Sequence, residues 1–376
     1  MERGKKYLFK PEGSSKPERP DLWLLGSASA LVVFGVLILA SVSSSFSLER
    51  TGTAFYYLNH QLLFGLLPGL LLGFIAYRIP LERIRKGSLL FLLFTIVLLI
   101  MVFLPVIGEE VKGAYRWIFV GSFSFQPSEL LKLSSILYLA AFLAARREKE
   151  KTGPTFLPFV AVMGVMSLLL ILQPDVSTLG IIALVGLLLY FLSGTPLWHF
   201  LLMLGGGIAA LLVLVRLAPY RLSRLTTFLD PELDPLGKGY QIKQALIGIG
   251  SGGLTGVGLG LSFQKFGVLP EPISDSIFAV FAEETGFLGA LFLILLFLLF
   301  AWRSFVVAGR LNDIFLKLTA LGITLWITLQ ALINMGAMTG IFPLTGIPLP
   351  FISYGGSALL VELLGLGILL NISRRA

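Results

Sequence analysis

Ten apolar stretches divided by short polar breaks set what this chain can fold into. They cover approximately 22–45, 61–77, 88–106, 127–145, 155–173, 178–193, 198–215, 276–301, 314–334 and 355–372. A helix needs about 20 apolar residues to cross a hydrocarbon core, and these runs reach or approach that length. Charged residues make up 13% of the chain, where a soluble domain carries about 25%. The expectation is an all-α polytopic membrane protein with ten transmembrane helices. A long extracytoplasmic loop, 216–275, separates helices 7 and 8, and no large soluble domain is expected. The first run follows a basic tail, 1–21, and begins like a signal peptide, but at about 24 residues it is too long for one. It reads as an uncleaved helix.

Alternating sides gives one compartment holding both termini and the segments 78–87, 146–154, 194–197 and 302–313. That compartment carries 18 Lys and Arg, against nine on the other side over much longer loops. The positive-inside rule therefore puts both termini in the cytoplasm, and Asp275 faces outward. The net charge of +8 follows the membrane and is no sign of nucleic acid. There is no cysteine and only two histidines, His60 and His199, which excludes disulfides, thiol chemistry and a histidine-based metal cluster.

Polar residues in and beside the apolar runs mark the candidate site. Leu269-Pro270-Glu271-Pro272 reads as a rigid extended approach to Asp275, which stands near the N-cap of the eighth helix with Glu283 and Glu284 below it. A cap needs only one acid, so the three are read as bordering a polar cavity. Glu129 and Lys132 are i, i+3 and share a helix face; they form an ion pair that either joins helices or lines a cavity. Arg116 suits a phosphate through its planar fork, or anchors the interface. Asp175 reads first as an N-cap. Arg221 and Arg224 share one side of a short amphipathic helix in the headgroup plane. The glycines from Gly248 to Gly260 lack a P-loop lysine and suit close approach to a substrate or another helix. The segment Ile341 to Ser353, uncharged with three prolines, cannot face lipid with unpaired carbonyls; it is expected to dip to membrane depth within protein.

These residues together resemble a known family. Gln264-Lys265-Phe266-Gly267, Leu269-Pro270-Glu271-Pro272, Asp275 and Ala282-Glu283-Glu284 are similar to the SEDS family of peptidoglycan polymerases. So are Arg116-Trp117, Gln126-Pro127-Ser128-Glu129, Lys132, Gln173-Pro174-Asp175, Gly239-Tyr240-Gln241 and the stretch Pro343 to Gly356. The likeness spans roughly residues 20 to 375 and is strongest to the division branch, FtsW, ahead of RodA and the sporulation member. It implies a bacterial cytoplasmic-membrane glycosyltransferase that joins lipid II into glycan strands on the outer face. Undecaprenyl pyrophosphate leaves, and Asp275 acts as general base. The resemblance makes Arg116, Lys132, Arg221, Arg224 and Lys243 candidates for the pyrophosphate, with Glu129, Asp175, Glu283, Glu284, Ser353 and Tyr354 lining the cavity. It also implies a class B penicillin-binding partner, other division or elongation proteins and membrane lipids. A divalent cation could assist, although the sequence shows no dedicated metal cage.

A lipid II flippase and a non-catalytic division scaffold are the alternatives. A flippase needs a hydrophilic path through the whole bilayer, whereas the charges expected here gather on the outer side. The absence of a visible internal repeat also weighs against a transporter.

Overall fold

The computed structural model describes residues 19–104, 108–111, 113–121, 123–148, 155–217, 219–234 and 237–376. Most of the expected basic tail, 1–18, lies outside them. Each of the ten apolar runs is helical. They form α1 (Leu22–Thr51), the pair α2 (Tyr56–Gln61) and α3 (Leu67–Arg78), α4 (Leu81–Met101), α5 (Pro127–Glu148), α6 (Phe156–Leu172), α7 (Val176–Leu192) and α8 (Leu197–Leu217). Two short helices follow, α9 (Pro219–Leu229) and α10 (Lys238–Ser251), then α11 (Ile277–Arg310), α12 (Ile314–Met338) and α13 (Gly356–Ser373). Among the described residues, eight helices are long and apolar enough to cross a membrane, with α2 and α3 taken together; α6 and α7 are apolar but shorter.

The all-α expectation needs correcting in one place. Between α4 and α5 the chain forms a three-stranded antiparallel sheet, β1 (Gly108–Val111), β2 (Ala114–Val120) and β3 (Phe123–Phe125), in sequential order. β2 reads Ala-Tyr-Arg-Trp-Ile-Phe-Val, rich in the aromatic and β-branched residues that suit a pleated strand. Glycine turns at Gly113 and Gly121, both with positive φ, reverse the chain at each end of it.

The interior is apolar and packed mainly from α1, α5, α7, α11, α12 and α13. Glycines bring helix backbones together. A Cβ on Gly73 of α3 would lie 2.6 Å from the Leu363 carbonyl of α13, and one on Gly65 would lie 3.1 Å from Gly356. A π-turn at Leu62–Leu66 joins α2 to α3 and admits this contact; such bulges mark functional segments in many helices.

The eighth apolar run is a broken helix. Gly286 has φ 67° and ψ −167° inside α11, so the regular hydrogen-bond ladder opens there. The glycine run fills the break. The Val257 and Gly258 N–H groups donate to the Glu283 and Glu284 carbonyls at 3.0 and 3.1 Å. Phe287 and Leu288 donate back to the Gly253 and Leu254 carbonyls at 2.9 and 3.1 Å. Of the two partners the sequence left open for the glycines, the structure shows the helix. A side chain at Gly286 would meet the Gly256 amide and the Leu254 carbonyl in a backbone conformation that L-residues rarely adopt. Gly286→Ala is therefore expected to destabilise the protein by about 1–3 kcal/mol, seen as a lower unfolding temperature in detergent. An unchanged transition would show that the break relaxes freely.

Candidate functional site

The loop that carries Asp275 is bound to a second loop by its own backbone. Three successive carbonyls, those of Ile273, Ser274 and Asp275, each accept a hydrogen bond from the region 334–354. The donors are the Tyr354 N–H at 2.8 Å, Ser353 Oγ at 2.5 Å and Asn334 Nδ2 at 2.8 Å. Fixing three peptide groups in a row leaves the Asp275 backbone little freedom. The carboxyl is half-buried; its Oδ1 accepts from Ser274 Oγ at 3.0 Å, and its Oδ2 abuts Gly346, where a Cβ would approach to 3.6 Å.

The approach to Asp275 is a turn and not the extended arm read from its prolines. Glu271 has φ 51°, and its carbonyl accepts from the N–H groups of Ser274 and Ser276, both at 3.2 Å. Proline fixes its own φ but leaves the residue between two prolines to be set by the tertiary bonds around it.

The gripping loop, 339–355, is irregular and largely buried, and it satisfies its backbone through side chains. Asn334 reaches the Ile347 carbonyl at 2.8 Å, and Gln330 reaches that of Pro348 at 3.0 Å. Ser177 and Arg224 donate to that of Thr345 at 2.5 and 3.4 Å. The Phe351 N–H donates to Glu362 at 2.7 Å. From the other side, Gln61 accepts from the Gly355 N–H at 3.0 Å, and the Tyr354 hydroxyl meets His60 Nδ1 at 3.0 Å. Tyr354 is pushed up from the usual phenol range by burial, with Tyr56 and Tyr57 adding to it; its hydroxyl stays neutral.

Behind this loop lies a buried ion pair. Lys132 contacts Glu129 at 2.8 Å and donates to Gln330 Oε1 at 2.8 Å, which also receives Trp326 Nε1 at 2.9 Å. Gln330 thus links the ion pair to the Pro348 carbonyl.

Several expected roles change once partners are visible. Glu283 and Glu284 were read as bordering a polar cavity with Asp275; both are buried and fully engaged. Glu283 accepts from Ser262 Oγ, Ser251 Oγ and the amides of Phe263 and Gln264. Glu284 pairs with Lys265 at 3.0 Å and accepts from Ser41 at 2.6 Å. Their carboxylates hold the 251–265 segment onto α11. Asp175 keeps the N-cap role first read for it, at the start of α7, accepting from the Thr178 N–H at 3.2 Å and from Ser128 at 2.9 Å. Arg116 spends its guanidinium on the Gln173 and Pro174 carbonyls at 2.9 and 2.5 Å.

Two helices of the long loop make contact with the segments beside Asp275. Arg224 on α9 reaches Thr345, one residue from Gly346. Gln241 on α10 donates to Ser276 Oγ at 2.9 Å; the exposed Lys243 lies two residues on, and helical residues at i and i+2 do not share a face. The Arg221 side chain lies outside the described residues.

Sequence reasoning missed Asn334, Gln330, Glu362 and Lys265. A signal existed for the first two: Trp326, Gln330 and Asn334 fall at i, i+4 and i+8 on one face of an otherwise apolar helix. Among the described residues no three His, Asp or Glu side chains form a group able to hold a metal ion.

A family model described as "Cell cycle protein", for FtsW, RodA and SpoVE, matches residues 22–376. The probable peptidoglycan glycosyltransferase FtsW of Coxiella burnetii is 42% identical over 94% of this chain and 96% of its own. Stage V sporulation protein E of Bacillus subtilis is 38% identical over 96% and 99%. A solved chain from a peptidoglycan synthase complex that coordinates polymerization and crosslinking superposes with a TM-score of 0.79, 28% identity and coverage of 95% and 98%. RodA of Thermus thermophilus gives 0.69 at 26% identity, covering 94% and 97%.

Removing one partner of a buried ion pair leaves a charge without compensation, at about 3–5 kcal/mol. Lys132→Met is expected to lower the unfolding temperature strongly, and Glu129→Gln with Lys132→Met to recover most of that loss. Equal losses in the single and double variants would argue against the pair as the cause.

Proposed function

This chain belongs to the FtsW, RodA and SpoVE family of cell cycle proteins and is a peptidoglycan glycosyltransferase, and we propose that it polymerises lipid II with Asp275 as general base. The observation that supports Asp275 is the triple carbonyl grip, which orients one carboxyl at the edge of a rigid loop. A general base must sit within about 2.6–3.2 Å of the proton it takes, directly or through one water, and a pinned backbone meets that demand. In the proposed reaction the growing strand is the donor. The Asp275 carboxylate removes the proton from the 4-hydroxyl of the incoming disaccharide. The oxygen attacks the anomeric carbon of the donor, and the bond to undecaprenyl pyrophosphate breaks.

The leaving pyrophosphate gathers negative charge, which fixed cations stabilise. Arg224 suits this role, because it reaches the loop that grips the Asp275 turn; Lys243, on the helix whose Gln241 meets Ser276, and Arg221 join it as candidates. Arg116 and Lys132 suit positioning, since their donors are committed to carbonyls and to Glu129 and Gln330. Ser353 and Tyr354 fix the loop. A divalent cation would add charge at the pyrophosphate, although among the described residues no three His, Asp or Glu side chains form a group to hold it.

The ten helical runs are proposed as ten crossings, with 1–21 as a cytoplasmic tail, 22–376 as one membrane domain and 216–275 outside. The charge asymmetry between sides supports this orientation. A crosslinking partner of the class B penicillin-binding type fits the likeness to a synthase complex, at division or at elongation.

Purified protein with that partner and lipid II tests the assignment. Asp275→Asn is expected to lose about 10²–10⁴ in rate while keeping its fold, and Asn334→Ala, which frees the Asp275 and Ile347 carbonyls, up to about 10². Polymer formed at the normal rate by Asp275→Asn would remove it as the base. Lipid II crossing vesicles with no polymer from the unaltered protein would favour a flippase. The cysteine-free sequence also permits a direct test of sidedness. Glu271→Cys is expected to react with a membrane-impermeant maleimide on intact spheroplasts, and Arg375→Cys only after lysis.

A further inference from the structure

A second feature lies far from Asp275. α1 and α3 diverge over α13 and leave a groove with a cavity volume of about 770 Å³, within the ~300–1,000 Å³ of ligand pockets. Its walls are almost wholly apolar, Leu37, Leu70, Phe74 and Leu370 among them, and its floor includes Gly73 and Gly367, whose missing side chains let α3 and α13 touch. Leu37, Leu70 and Phe74 are each at least half exposed, so the groove opens sideways to the surrounding lipid.

One end of the groove is cationic. Arg78 stacks on Phe74 at 4.9 Å, and Arg374 stacks on Tyr77 at 5.0 Å; both rings line the groove. Arg19 directly precedes Pro20, another lining residue. Arg78 and Arg374 therefore stand at the same rim, with Arg19 next to a lining residue in sequence. Asp21 is held by Arg303 at 2.5–2.9 Å, and its N–H closes the groove end by donating to Ser373 at 3.1 Å. Arg303 stands about 24 Å beyond the Gly286 break along the unbroken part of α11, at 1.5 Å per residue, and the orientation proposed above puts this rim on the side opposite Asp275.

We infer that this groove binds an anionic phospholipid of the cytoplasmic leaflet, acyl chain along the apolar walls and phosphate on Arg78 and Arg374. An arginine stacked on an aromatic ring is pre-organised, and its fork matches a phosphate. Basic pockets between helices on the cytoplasmic side suit anionic headgroups. The leaflet assignment rests on the orientation proposed above; the choice of an anionic lipid rests on the groove and its rim.

The test is lipid binding to the delipidated full chain, read by native mass spectrometry and by thermal shift. The probes are phosphatidylglycerol, phosphatidylcholine and undecaprenyl phosphate. Phosphatidylglycerol is expected to bind in preference to the other two. Each arginine removed should weaken it roughly fivefold, from the ~1 kcal/mol that one cation contributes near anionic lipid. Arg78→Gln with Arg374→Gln should therefore lose about 25-fold. Leu70→Trp, which fills the groove without touching charge, should lower occupancy by all three. Equal binding of phosphatidylcholine, or a preference that survives the double variant, would overturn the inference. Tighter binding of undecaprenyl phosphate would assign the groove to the isoprenoid instead. If the double variant fails to fold, the comparison of lipids on the unaltered chain and on Leu70→Trp still decides. Labelling of Arg375→Cys from outside would overturn the leaflet assignment alone and leave the headgroup preference standing.

Discussion

Irregular backbone buried among apolar helices needs donors and acceptors from somewhere, and that requirement organises this protein. An unsatisfied peptide group in such surroundings costs several kcal/mol. The loop between α12 and α13 meets the requirement through side chains: Asn334 and Gln330 from α12, Glu362 from α13, Gln61 from α2, and Ser177 and Arg224 from further away. Once those side chains have fixed the loop, it can fix something else. Its Ser353 and Tyr354, with Asn334, take the three carbonyls before α11 and hold the Asp275 turn.

The same logic explains the charges inside the bundle. Lys132 and Glu129 alone would be a costly pair to bury. Their link through Gln330 to the Pro348 carbonyl joins α5 and α12 to the gripping loop. Glu283 and Glu284 do a parallel job at the break in α11, where Ser262, Lys265 and the amides of 263 and 264 converge on them. In both places a polar residue in an apolar helix holds a non-helical segment in register. Asp275, by contrast, keeps its carboxyl half-buried at the margin of the loop that grips it.

Much of this was legible in the residues. The ten apolar runs gave the helices, because hydropathy and length suffice when the solvent is lipid. Asp275 stood out because a cap needs only one acid, and two more lay beneath it in the same apolar run. The glycine run was read as a place of close approach, and α11 is what approaches it. The sheet at 108–125 escaped notice because a short stretch between two strong helix signals carries little periodicity. Glu283 and Glu284 were misread for a related reason: an intramembrane acid signals that a partner exists, but most of their partners sit in a loop with no period to place them, and Ser41 comes from the far end of the sequence.

Sequence alone therefore determined the membrane class, the helices, the family and the identity of the acid at the head of α11, since composition, run length and local motifs are one-dimensional properties. Tertiary structure alone decided which polar groups are already spent. Arg116, Asp175, Glu283 and Glu284 are committed to carbonyls, caps and clamps, while Asp275 is held by its backbone with its carboxyl at the edge. A hydrogen bond is a matter of a few tenths of an ångström and a direction. Nothing in residue order specifies either until the helices have packed.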